Sequence, residues 1–130
     1  MITNARLVYI QQQLETSRFG QQAWNTGFAV DVRCLLVNVT TAQRAQLGSV
    51  LRDSTLKLVV QPIGIFDPFS MIAVGTRVVV YRSPPQGSPI LLQVELVEPV
   101  RGGLAHLKAY CREQSQSAGL IQTLMGGGNP

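Results

Sequence analysis

A chain of 130 residues with 45% hydrophobic residues has room for one domain with a real core, and length gives no reason to divide it into two. Only 14% of its residues are charged, well below the roughly 25% of ordinary soluble domains, so its uncharged surface is either covered by partners or that of a well-packed β-domain with a Gln-rich exterior. The net charge of +4 is spread over scattered residues with no basic arm, and most of them are Arg, which suits planar interface contacts better than Lys.

The first residues, Met-Ile-Thr-Asn-Ala-Arg, lack the apolar stretch of a secretory signal, and no apolar run approaches the ~20 residues of a membrane span. A cytoplasm-like compartment and no membrane contact are expected. β-Branched and aromatic residues predict a strand over residues 6–10. The Gln11-Gln12-Gln13 run after it suits a helix or a solvated edge equally. Residues 17–27 read as a loop carrying Trp24, a core plug or an interface anchor. Residues 28–39 alternate through Phe28, Val30 and Val32, then turn continuously apolar, as a strand does when it passes from an edge into a buried centre. Thr40 and Gln43 form a capping-box pair ahead of a helix expected to run through Arg52, with Gly48 its weak point.

Residues 54–61 return to strand. Residues 62–73 are predicted as a loop, yet carry Ile63, Ile65, Phe66, Phe69, Met71 and Ile72 among two prolines and a glycine. Exposed aromatics give up hydrophobic free energy, so this loop is either a lid over the core or a segment inserted into a partner. Three strands follow, over residues 76–82, 90–97 and 104–112. A proline-rich connection at 83–89 and the Arg101-Gly102-Gly103 turn join them. From Gln114 the chain becomes a small-residue, Gln-rich extension. Residues 115–125 can form a helix with Leu120, Ile121 and Leu124 on one side; the extension is either disordered or ordered against a neighbouring subunit. The expected fold is mainly β, a small antiparallel β-barrel or sandwich of about six strands with one short helix. Residues 1–113 form the barrel domain, and 114–130 an extension that docks on a neighbouring subunit.

Chemistry is sparse. The lone His106 and the distant Cys34 and Cys111 share no metal-ligand spacing, and two isolated cysteines in apolar strands read as buried free thiols. Asp31, Asp53 and Asp67 are isolated. Glu95 and Glu98, three apart on one strand, are expected on opposite faces, which makes them a poor acid–base pair. No phosphate-binding glycine loop or nucleophile elbow occurs. The sequence therefore predicts no enzyme, no catalytic residue, no cofactor and no metal. The candidate interface residues are Phe66, Phe69 and Met71 in the loop and Leu120, Ile121 and Leu124 in the extension. A nucleic-acid-binding barrel is the reading from another class. It would stack bases on Tyr9, Phe28, Tyr81 or Tyr110, of which only Tyr81 and Tyr110 have basic neighbours.

Three stretches carry a resemblance. Residues 72–80, with Val-Gly-Thr-Arg-Val-Val-Val at 74–80, are followed by an apolar strand at 92–97 and a closing strand at 104–113 that ends Cys-Arg-Glu. This succession resembles the head-closure, or head–tail connector, proteins at the neck of tailed bacteriophages. The resemblance implies a β-barrel subunit of a homo-oligomeric ring between the portal or adaptor protein and the tail proteins. Such a ring seals the packaged DNA, which is near the subunit only by proximity. The protein would then be part of the virion, assembled in the host cytoplasm. In that family the long loop, here 62–73, can project toward the channel or the next ring. The helix at 41–52 and the long extension depart from the family pattern, and a tail-terminator or a capsid cement or decoration protein would share the same features.

Overall fold

A computed structural model describes residues 3–12, 27–47, 55–82 and 89–114. Six strands and two short helices follow in the order β1 (Ala5–Gln11), β2 (Phe28–Asn38), α1 (Thr41–Leu47), β3 (Leu56–Val60), α2 (Pro68–Met71), β4 (Arg77–Arg82), β5 (Ile90–Val100) and β6 (His106–Glu113). The strands close into an antiparallel barrel in the order β1-β2-β3-β6-β5-β4. Of the two all-β architectures expected, the barrel forms because β1 pairs with β2 on one side and β4 on the other, leaving no open edge.

Alternation fills the interior. Val32, Cys34 and Leu36 of β2, Leu56, Leu58 and Val60 of β3, Val78 and Val80 of β4, Leu92 and Val94 of β5, and Leu107, Ala109 and Cys111 of β6 form one buried core. Two bulges interrupt it. In β1 the register shifts between Leu7 and Tyr9, so Leu7 and Ile10, three apart, both face the core. In β5 the shift falls between Val94 and Leu96, and Val94 and Val97 likewise share the inner side. An extra residue deepens local twist and coil, which a six-stranded sheet needs to close. Simple alternation does not carry across the β5 bulge, so the three-residue spacing of Glu95 and Glu98 no longer assigns them to faces.

Outside the barrel, Tyr9, Val79 and Leu91 form a second buried cluster, and Val39 with Tyr110 a third. The Tyr9 ring lies so close over Gly27 that a Cβ at Gly27 would overlap it. The close approach of the ring, not turn geometry, favours glycine there: a larger residue would have to displace the Tyr9 ring.

The capping box forms as read. The Gln43 backbone N–H donates to Thr40 Oγ1 and the Thr40 N–H donates to Gln43 Oε1, both at 3.1 Å. The expected helix beyond Leu47, Trp24 with its loop, the 83–88 connection and the extension with Leu120, Ile121 and Leu124 lie outside the described residues. Strand ends differ most from the sequence reading around the β5–β6 turn. β5 runs on to Val100, and β6 starts at His106, because Leu104 belongs to the exposed turn.

Candidate functional site

Antiparallel pairing sorts the connections to two ends of the barrel. The end of β3, the start of β4, the end of β5 and the start of β6 share one end, since Val60 pairs with Leu107 and Val100 with His106. Both the 61–76 connection and the 101–105 turn therefore lie there.

The 61–76 connection is folded, not open. Ile63 and Phe66 pair across a two-residue turn through reciprocal backbone hydrogen bonds of 3.1 and 2.9 Å. Gly64 occupies the first turn position at φ 57°, a conformation that costs other residues strain. The chain then enters α2, a single turn. The Asp67 side chain caps it by accepting from Phe69 N–H at 3.1 Å, and Pro68 sits in the first turn, where a missing N–H costs nothing. The Asp-Pro start signal for this helix stands in the sequence; length-based reading overlooks it because four residues show no periodicity. Behind α2, Ala73 N–H donates to Thr76 Oγ1 at 3.1 Å and Gly75 N–H donates to Val94 O at 2.8 Å, tying the connection to β5. Just past β1, Gln12 Nε2 donates to Met71 O at 3.2 Å.

These bonds hold a lid whose two sides differ. Phe66 and Ile72 join the core, at 6% and 2% exposure, with Phe69 and Met71 packed half-buried against it. The Arg101 guanidinium lies 4.4 Å from the centre of the Phe69 ring, a cation–π contact between the lid and the β5–β6 turn. On the outer side Ile65 is 98% exposed, and Ile63, Val74 and Leu104 are also open. These four are the exposed large hydrophobics of the described residues, and all come from this end of the barrel.

The three loop residues selected from sequence thus sit on the inner side of the lid. The outward apolar positions, Ile63 and Ile65, were visible in the same apolar loop. What marks Ile65 is its place after Gly64 at the centre of a two-residue turn, where it stands 98% exposed.

The remaining polar groups show little chemistry. Among the described residues no three His, Cys, Asp or Glu side chains approach closely enough to hold a metal ion, and no helix is long and apolar enough to cross a membrane. Cys34 and Cys111 are both buried and free. Burial pushes the Cys34 thiol up to about 12 and raises that of Cys111 as well, so neither is a reactive thiolate near neutral pH. His106 places Nδ1 2.9 Å from Leu104 O. Arg6 grips Asp31 through contacts of 3.0 Å at Nε–Oδ1 and 2.5 Å at Nη2–Oδ2, and these hydrogen bonds hold the carboxyl below its ordinary range. Glu98 meets Lys108 at 3.6 Å. Of the four strand aromatics, Tyr9 and Tyr110 are buried, Phe28 packs half-buried against the core, and Tyr81 is half-buried. No family model matches the chain, and no curated protein matches it.

Proposed function

We propose that this chain is a structural subunit of a virion: one copy of a ring at the neck of a tailed bacteriophage, which joins the portal or adaptor to the tail and closes the DNA channel. Its role is to dock, not to turn over a substrate. The observation that carries this reading is the outer side of the lid. An isoleucine held at the tip of a braced two-residue turn, 98% exposed, forgoes the roughly 1.5–3 kcal/mol its burial would contribute. A partner that covers Ile65 and Ile63 recovers that free energy. The closed barrel supports the same reading, because with no unpaired edge it offers neighbours side chains and loops instead of a strand to extend. The stretches that resemble connector proteins, 72–80, 92–97 and 104–113, coincide with the lid exit, β4, β5 and β6.

A base-stacking barrel would display aromatics on a basic strand face, whereas Tyr9, Tyr110 and Phe28 are turned into packing. Electron microscopy of particles carrying a tagged copy tests the proposal. Label at one vertex, where head meets tail, is expected. Label over the whole shell would make the protein a cement or decoration subunit, label along or at the far end of the tail would move it to a tail protein, and no label would remove it from the virion.

A further inference from the structure

We propose that copies of this chain associate head to tail, residues 115–130 of one copy docking on the apolar lid end of the next at Ile63 and Ile65. The inference rests on the assembly reading above and names the partner that covers the lid.

Three observations carry it. The first is the lid end itself, where Ile63, Ile65, Val74 and Leu104 are all exposed and Arg101 already lies over Phe69. Such a surface fits an uncharged apolar occupant; an acidic or basic segment would lose hydration there with little in return. The second is composition. Residues 115–130 contain no Asp, Glu, Lys, Arg or His, and carry Leu120, Ile121, Leu124 and Met125 among Ser, Gln and Gly. The third is direction. β6 starts at the lid end and finishes at the other, where Glu113 pairs with Leu92. Gln114 continues the same course, its N–H donating to Leu91 O at 2.9 Å. Residue 115 is therefore joined to the barrel at the end opposite its own lid. A contact between unlike ends of identical subunits is heterologous. Repeated at a fixed rotation it closes a ring, and otherwise it propagates as a filament.

The test uses two variants of the purified full chain and their mixture. One lacks residues 115–130 and keeps the lid. The other carries Ile63→Ser with Ile65→Ser and keeps the extension. By light scattering after gel filtration the unaltered protein should be a multimer and each variant alone a monomer. The equimolar mixture should give a one-to-one heterodimer, because one extension and one lid remain competent. Both variants should melt within a few degrees of the parent. A multimer that survives either change overturns the inference while leaving the assembly reading intact. So does a mixture that stays monomeric, or a truncated chain that melts far lower, which would put the extension on its own barrel. If the unaltered protein is monomeric even at high concentration and tagged particles carry no label, the assembly reading itself fails.

Discussion

Phe66 and Ile65 are adjacent, both large and apolar, and differ as far as two side chains can: one is 6% exposed in the core, the other 98% exposed at the tip of its turn. The contrast shows that the apolar loop has two sides, divided residue by residue. Its inner side, Phe66 and Ile72 with Phe69 and Met71 against them, closes the barrel end. Its outer side, Ile63 and Ile65, contributes little to the isolated fold and is available to something else. Composition alone merges the two, and lid and inserted segment then read as alternatives. The reciprocal hydrogen bonds between Ile63 and Phe66 separate them.

Phe66→Ala is the hardest blow to the inner side. Removing a buried aromatic costs about 3–5 kcal/mol when the surroundings relax only partly. Urea unfolding should show a loss in that range with little change in slope. A loss under about 1 kcal/mol would mean that the lid does not pack as described, and the contrast with Ile65 would vanish.

Gly64→Ala probes the device that sets which residue faces in. A Cβ at Gly64 meets nothing within 4 Å, so the only obstacle is its φ of 57°. Holding an alanine there costs roughly 1–2 kcal/mol. The loss should appear in thermal unfolding, and a neutral result would show that the turn rearranges without penalty. Asp67→Ala, removing the α2 cap, should cost about 1 kcal/mol. Asp67→Asn should recover most of it, since the amide oxygen can accept the same bond from Phe69 N–H.

How much of this was legible in the sequence depended on how local the cause was. β4 and the Thr40–Gln43 box announce themselves through adjacent residues, and both form as read. The bulges at Val8 and Glu95 do not. The β5 bulge is set by its register with β6, and β1 shifts register at Val8 against both β2 and β4, so the causes lie across the sheet and not in adjacent residues. Closure of the barrel depends on the same non-local pairing, so barrel and sandwich stayed open until β1 met β4. The exposed side of the lid was half legible: the loop stands out by its composition, but its aromatic Phe66 is the kind of residue a small core most readily takes in, and it is buried.

Ile65→Ser has the smallest effect on the isolated fold and the sharpest bearing on the contrast. The side chain is solvated before and after the change, and its backbone bonds belong to its neighbours Ile63 and Phe66, so stability should move by no more than about 0.5 kcal/mol. Unfolding of the variant monomer measures this directly. Association should fall all the same, because an isoleucine buried only in the complex contributes only there. Unchanged stability with weakened self-association, read by sedimentation over a concentration series, assigns the residue to the interface. Lost stability would mean instead that Ile65 helps to close its own barrel, and that the lid has a single side.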